Sequence, residues 1–429
     1  MYENLKGKKL LVIGSEEVDV NIVVAAHELG VYVIAVDGKQ KSENTPAKNV
    51  ADESWDINYS NTEQIVEKCM AANVDGVIAG YSEFRVLAAC RIARALGKPF
   101  FATEEQIEIT RNKRKFKDEC IKYNIRIPKD YCFNEPPTAE QIKHIHYPVI
   151  VKPTDYAGRK GVCVCYEEKS LNVAVDDALR CSQSKTVIVE EYITGMEFSA
   201  IYSLSNGRIE LSCFNEKYLN ETQKKKSGLC ELAISPSTNY LSKYIKNCDS
   251  NVKAFLRGIG AENGVAFFQG IMNGDDFWIF EMGYRLNGGN DYVQTELNND
   301  ISYMKMLISF CLTGDMGDNL DKENPFFKKY YLTYIIYAHE GIVGNCVCNV
   351  DIHHKGIEVI HICPVVGQKI YEDGTTAQRA FSFKVTADSL IEATQIMHYI
   401  YNNVKLTDEN GANMLFDEFD TNRVLNSKE

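Results

Sequence analysis

Strand-like and helix-like runs alternate through the first hundred residues, and this alternation limits the fold more than any other feature. Lys9–Ile13 (KLLVI) is a short apolar run that ends at Gly14. Val18–Leu29 has helical apolar spacing and stops at Gly30, a residue that leaves a helix through a left-handed turn without steric cost. Val31–Val36 is β-rich and ends at Asp37. Thr62–Ala72 reads as a helix, Val74–Ala79 as a strand, and Glu83–Leu96 as a helix closed by Gly97. Such alternation predicts a parallel α/β sheet with right-handed crossovers. Asp37 stands where the ribose-binding acid of a dinucleotide fold would be. The first strand–helix turn, however, is GSEEVD, with one glycine in place of G-x-G-x-x-G, so nicotinamide or flavin binding is not expected.

After Lys113 the pattern changes to strands separated by one helix, as in an α+β lobe: IRIPKDY, HYPVIVKP, GVCVCY, a helix near Leu171–Cys181, and TVIVEEYI. A long helix near Tyr240–Gly260 precedes the strand pair VAFFQGIM/FWIFEM. The last hundred residues are β-rich, with a helix near Ser389–Asn402. At about 100–200 residues per domain, 429 residues imply two to four domains. The net charge of −12 disfavours a dedicated nucleic-acid binder, which needs a basic face to displace counterions. The fourteen cysteines include no C-x-x-C pair. The C-x-C pairs Cys163/Cys165 and Cys346/Cys348 lie in β-branched runs and read as small buried hydrophobes in a reducing compartment. With no signal-like h-region and no run of about 18 apolar residues, a soluble cytoplasmic protein is expected.

Four segments carry chemistry. In PVIVKPTDYAGRKGV, Lys152 precedes a loop holding Gly158, Arg159, Lys160 and Gly161, where main-chain N–H groups and fixed cations can close on anionic oxygens. A polar hairpin loop would look similar. In VIVEEYITGMEF, the acids Glu190, Glu191 and Glu197 emerge from an apolar strand around Ile193 and Gly195, and could accept from an exocyclic amine and ribose hydroxyls; two surface acids and a turn are the plainer reading. In GVAFFQGIMNGDDFWIFEMGYRLNGG, Asn273-Gly274 is a strong hairpin signal, and Gln269 and Glu281 flank it twelve positions apart. An odd loop count would place these two on one face as oxygen ligands for Mg²⁺; an even count would place them on opposite faces. Arg285 follows, able to neutralise a transferred phosphoryl group. The fourth segment places Lys113 at a helix start, thirty-nine residues before Lys152.

In order and spacing, these segments resemble the ATP-grasp superfamily, closest in pattern to its carboxylate–amine ligase and carbamoyl-phosphate-synthase-like branches. The resemblance covers roughly residues 5–310 and, more loosely, the C-terminal β-rich part. It implies an α/β and α+β multidomain chain with the ATP-grasp fold. The divisions would be 1–110, a parallel-sheet pre-ATP-grasp domain; 111–189, the small lobe and lid; 190–325, the large lobe with the metal site; and 326–429, a C-terminal β-rich module packed on the large lobe. It implies ATP and Mg²⁺ (or Mn²⁺) as cofactors. Lys113 and Lys152 would contact the α- and β-phosphates, and the loop from Thr154 to Gly161, with Gly158, Arg159 and Lys160, would be the lid. Glu190 and the main chain of Glu191 and Ile193 would read adenine, and Glu197 the ribose. Gln269 and Glu281 match the metal ligands, Arg285 the arginine that stabilises the acyl phosphate, and Lys217 a further phosphate-contacting lysine. Two positions depart from the pattern. Gly283, in EMGYR, stands where the family usually has a metal-binding asparagine, and the neutral Gln269 stands where Glu or Asp is common. Asn287, Asn290 and Asp291 are candidates to compensate.

The implied activity is ATP-dependent activation of a carboxylate as an acyl phosphate, which an amine then attacks to form a C–N bond with release of ADP and phosphate. A bicarbonate-activating, carbamoyl-phosphate-synthase-like enzyme and a non-catalytic ATP-binding module are the alternatives. Small-molecule carboxylate and amine substrates are the expected partners, with no nucleic acid and no membrane, and a homodimer is left open. Other motifs read as structural. The M-K-M around Lys305 lies in a run of helical length, Lys224–Lys226 reads as a solvated loop, and His144/His146 and His353/His354 lack metal-ligand spacing.

Overall fold

In the computed structural model, the parallel sheet foreseen for the N-terminal hundred residues is present. Its strands are β1 (Lys9–Ile13), β2 (Tyr32–Asp37), β3 (Glu53–Asp56) and β4 (Gly76–Ile78), in the order β3-β2-β1-β4 and all parallel. The described residues are 2–41, 44–133, 137–154, 161–182, 184–220, 228–237, 239–289, 291–351, 356–362 and 364–426. Leu10, Leu11, Val12 and Ile13 are all buried because helices cover both faces of the sheet. Gly30 and Gly97 leave their helices with φ of 70° and 64°, as their positions predict. The strand β3 has no counterpart among the sequence-derived elements: in ESWD only Trp55 is buried, so no apolar run marks it.

A second sheet follows, formed by β5 (Asp130–Phe133), β6 (Val149–Pro153), β7 (Cys163–Cys165) and β8 (Val187–Glu191), antiparallel in the order β5-β8-β6-β7. The helix Glu168–Cys181 closes it, burying Leu171, Val175 and Ala178 against Val149, Val151, Val187 and Val189.

The third sheet has eight antiparallel strands. It comprises β9 (Met196–Ser205), β10 (Arg208–Leu219), β11 (Cys230–Ser235), β12 (Gly264–Asn273), β13 (Asp276–Gly283), β14 (Tyr330–Tyr337), β16 (Ile357–Ile362) and β18 (Arg379–Ala387), ordered β13-β12-β9-β10-β11-β14-β18-β16. The remaining strands, β15 (Gly341–Cys348), β17 (Lys369–Ile370) and β19 (Val404–Asp408), form a small sheet in the order β17-β15-β19. The C-terminal strands β14, β18 and β16 are thus hydrogen-bonded into the same sheet as β9–β13. One apolar cluster joins Tyr218, Leu232 and Ile234 to Phe381, Phe383 and Val385.

The motifs read as structural behave so where they are described. Met304 and Met306 are buried in the helix Tyr303–Thr313, and Lys305 pairs with Glu28 at 2.8 Å. Cys163/Cys165 and Cys346/Cys348 lie on β7 and β15 outside any disulfide, but of the four only Cys165 is buried and the others are half-buried, so the expectation of buried hydrophobes holds for Cys165 alone. Burial pushes the buried Cys69 and Cys248 thiols up to about 12. Lys224–Lys226, His353 and His354 lie outside the described residues. Among the described residues no helix is long and apolar enough to cross a membrane.

The helix Tyr303–Thr313 packs on β4, and at Gly76 a side-chain methyl would collide with the carbonyl of Cys311. Gly76→Ala should therefore lower stability by about 1–3 kcal/mol, read as a fall in the urea midpoint at unchanged m-value.

Candidate active site

The site is assembled from three directions. From the small lobe, Asn112 caps the helix Lys113–Lys122 by accepting from the N–H groups of Arg114 and Lys115, which sets Lys113 in its first turn. The Lys113 ammonium reaches the carbonyl of Thr154 at 3.5 Å, where β6 has ended and the expected lid loop begins. Gly158, Arg159 and Lys160 lie outside the described residues; Gly161, at the far end of that loop, is described and has φ of 73°.

Lys152 lies on β6 directly opposite Ile188 of β8, and its ammonium pairs with Glu190 at 2.6 Å. Lys117, which the motif reading did not single out, pairs with the other oxygen of Glu190 at 2.6 Å. Glu190 is 1% exposed. Burial alone would push its pKa up, but Lys152 and Lys117 outweigh this and bring it down to about 2. The carboxylate is therefore engaged on both oxygens as a clamp between two lysines. Glu191 is exposed, its N–H donating to Lys129 O at 2.8 Å, and the next N–H, of Tyr192, donates to Pro148 O at 3.1 Å.

From the large lobe comes one face of the eight-stranded sheet. The turn between β12 and β13 has two residues, Gly274 and Asp275, because Asn273 pairs with Asp276. An even count alone would separate Gln269 and Glu281. The register shifts by one between Gln269 and Gly270, however, leaving Phe280 as the extra residue, and Gln269 pairs directly with Glu281. Directly opposite residues share a face, so the two side chains lie together. Beside the bulge, on the outer edge of β13, the N–H of Ile279 donates to Arg126 O at 2.9 Å. Phe280 turns its ring to Lys152, whose ammonium lies 5.0 Å from the ring centre.

The row continues across the sheet, Gln269 opposite Ser199 and Ser199 opposite Asn215. Two positions along the same strands, Ile271 faces Glu197 and Glu197 faces Lys217. Because i and i+2 share a face, Glu197, Lys217, Gln269 and Glu281 all project from one side of the sheet, and each is half-buried.

From the N-terminal domain comes Glu83, at the start of the helix Glu83–Ala95. It accepts from Arg285 Nε at 2.7 Å and also from Nη2, while Nη1 donates to Leu286 O at 2.7 Å. The guanidinium stacks 5.0 Å from the Phe267 ring centre. Phe267 also accounts for Gly283. The two are cross-strand partners, and a Cβ on Gly283 would lie 2.5 Å from the Phe267 ring. The place of the family's usual asparagine is thus filled by an aromatic ring that supports Arg285. Asn287 donates to Asp291, so this pair is already bonded, and Asn290 lies outside the described residues.

Among the described residues no group of three His, Cys, Asp or Glu side chains could hold a metal ion. One carboxylate, Glu281, beside one amide, Gln269, fits a hard cation that takes most of its oxygens from bound phosphates and water.

A family model, "Phosphoribosylglycinamide synthetase, ATP-grasp (A) domain", matches residues 111–223. The formate-dependent phosphoribosylglycinamide formyltransferase of Prochlorococcus marinus is 28% identical over 265 residues, covering 58% of this chain and 67% of that protein. The chain spans 48% of a second formyltransferase from that species. Among solved structures, phosphoribosylglycinamide synthetase from Anaerococcus prevotii superposes with a TM-score of 0.73 at 20% identity, covering 94% of this chain and 100% of that one. L-amino acid ligase from Bacillus licheniformis superposes with a TM-score of 0.79 at 16% identity, covering 94% and 99%. Residues 111–223 match an ATP-grasp domain. The two structural likenesses carry the fold, which agrees with the fold class expected from the motif order.

Two outcomes follow for this ATP-grasp site. Glu190→Gln removes the charge that Lys152 and Lys117 share, leaving Lys117 with Asp130 alone at 3.3 Å, and should cost about 3–5 kcal/mol. The depressed Glu190 pKa adds stability that is fully present above the ordinary 4.5 and is lost as pH falls toward about 2. Acid unfolding of the variant should lack that component. Separately, Gly283→Asn should destabilise by about 1–3 kcal/mol through overlap with Phe267. In the double variant with Phe267→Ala the penalty of the added asparagine should shrink, so that a double-mutant cycle of urea midpoints gives a coupling well above the ~0.5 kcal/mol of independent sites.

Proposed function

We propose that this ATP-grasp ligase transfers the γ-phosphoryl group of ATP to a substrate carboxylate and that an amine displaces the phosphate, leaving an amide, ADP and phosphate. The observation that carries this reading is the shared face on which Gln269, Glu281, Glu197 and Lys217 lie, with Arg285 anchored by Glu83 beside it. In this reading Lys113 and Lys152 hold the α- and β-phosphates, and the loop to Gly161, with Gly158, Arg159 and Lys160, covers them. Glu190 fixes the position of Lys152, the main chain of Glu191 and Ile193 meets adenine, and Glu197 meets the ribose. Gln269 and Glu281 would hold Mg²⁺ (or Mn²⁺), which when bound screens the phosphate oxygens. Arg285 neutralises the charge that develops on the transferred phosphoryl group, and Lys217 contacts a phosphate. Phosphoryl transfer asks for little covalent work, so positioning and charge neutralisation are what these side chains supply.

A second reading, a nucleotide-binding module without turnover, is favoured by the single carboxylate at the metal position and by Phe267 in the place of a ligand. Mg²⁺–ATP supplied with pooled carboxylates and amines separates the two. The ligase reading expects ADP and phosphate release that needs both substrate pools; tight ATP binding without substrate-dependent release would sink it. Arg285→Lys keeps the charge but loses the planar fork that spans Glu83 and Leu286 O. It should lower kcat by about 10²–10³-fold, the loss typical of a removed charge-stabilising donor, with ATP affinity little changed.

A further inference from the structure

Resting on the ligase reading, we infer that the acceptor is an amine carrying no phosphoryl group, bound first as its ammonium in the acidic crevice at the C-terminal ends of β1 and β4 and attacking only after its proton passes to a carboxylate there. The chain leaves β1 toward β2 on one side and returns for β4 on the other, and open α/β sheets bind ligands outside the carboxyl ends of strands at such a switch point. The crevice adjoins the phosphoryl-transfer side: Leu286, next to Arg285, packs against Gly80 just past β4.

Four carboxylates gather here, Glu16, Asp19, Asp37 and Glu83, against two guanidiniums. Arg85 pairs with Glu16 at 2.9 Å, Asp19 at 3.1 Å and Asp37 at 3.5 Å, and Arg285 is taken by Glu83. Lys48 is buried beside Asp37, but its ammonium is bound by Asp56 at 2.8 Å and by the main-chain oxygens of Asp37 and Lys39. Among the described residues, the crevice therefore holds more negative than positive charge, and both its guanidiniums are already paired.

A second observation points to the ligand. Asp19 is 1% exposed and Ser15 is fully buried, yet Asp19 Oδ1 and Ser15 Oγ have no hydrogen-bond partner. Both sit where β1 ends: a Cβ on Gly14 would lie 2.8 Å from that carboxylate oxygen. A buried carboxylate oxygen left without a donor bears its full desolvation cost. Burial accordingly pushes the Asp19 carboxyl up to about 6, although Arg85 pulls it down. An ammonium brings three N–H donors and the missing positive charge. A phosphate ester would bring more negative charge to carboxylates whose guanidiniums are already engaged. Such an acceptor would differ from the phosphoribosyl compound in the name of the formyltransferase relatives.

Calorimetry with the full chain near neutral pH, using glycinamide and phosphoribosylglycinamide as a matched pair, tests this. Glycinamide should bind at least about tenfold more tightly than its phosphoribosyl derivative. Asp19→Asn, which keeps an oxygen for the Glu16 N–H and Arg85, should weaken glycinamide binding about tenfold. Glu16→Gln, at a side chain 54% exposed, should weaken it in the same direction without a change in melting temperature. Tighter binding of the phosphoribosyl compound, binding of neither, or wild-type affinity in both variants would overturn the inference. ADP release distinguishes the two failures. Release driven best by the phosphorylated amine keeps the ligase and removes the cationic acceptor. Glycinamide binding with no amine-dependent release removes the ligase reading and leaves an ammonium site.

Discussion

An ionised carboxylate with almost no exposed surface persists only where cations surround it, and Glu190 is the group on which the small lobe turns. Its two ammoniums come from different elements, Lys117 from the helix Lys113–Lys122 and Lys152 from β6, so one carboxylate aligns a helix with a strand. Lys113 lies four positions before Lys117 on that helix, on the same face. Burying Lys117 against Glu190 therefore directs Lys113 toward Thr154 at the start of the loop. Lys113 and Lys152, the two cations proposed to meet the triphosphate, are thus placed by a residue that need not touch it.

The second constraint is the bulge at Phe280. A hairpin with a two-residue turn and unbroken pairing would put Gln269 and Glu281 on opposite faces. The extra residue brings them together, and next to it the edge of β13 is met from outside the hairpin by the Arg126 carbonyl on the Ile279 N–H. Arg126 is itself anchored there, paired with Asp276 at 2.6 Å and stacked 5.0 Å from the Trp278 ring centre. The segment before β5 thus lies along the edge of β13, and Phe280 meets Lys152. The two lobes are coupled at the point where metal and phosphate contacts would meet.

This also explains what could be read in the sequence. The elements with a clear apolar period were legible, from Lys9–Ile13 to the helix Thr62–Ala72, because burial on one face writes itself into local spacing. The polar β3 left no such trace. Gln269 and Glu281 stood out as polar residues in apolar strands, but their register depended on a bulge that no local spacing announces. Gly283 was visible as a departure, whereas its reason, the Phe267 ring, required knowing which residue faced it. Lys117 and Glu83 looked like ordinary helix residues, since their partners Glu190 and Arg285 are distant in sequence.

The least legible contribution is that of the C-terminal strands. Lys217 faces Ala233, Ala233 faces Thr333, and Thr333 faces Lys384, so the row that starts at the proposed nucleotide-binding strands runs unbroken into β18. Lys384 is buried, and its ammonium donates to the Gly289 carbonyl and to Thr333 Oγ1, each at 2.6 Å, with Asp291 at 3.7 Å. Burial lowers its pKa, Asp291 opposing, as expected for a cation held in the interior rather than displayed. The loop carrying Arg285 is therefore tied at both ends, by Glu83 from the N-terminal domain and by Lys384 from the C-terminal strands. An arginine that must meet developing charge is effective to the extent that it is already oriented. Here that orientation is imposed by residues about two hundred positions before it and one hundred after it, which is a physical reason for the C-terminal strands to continue the sheet.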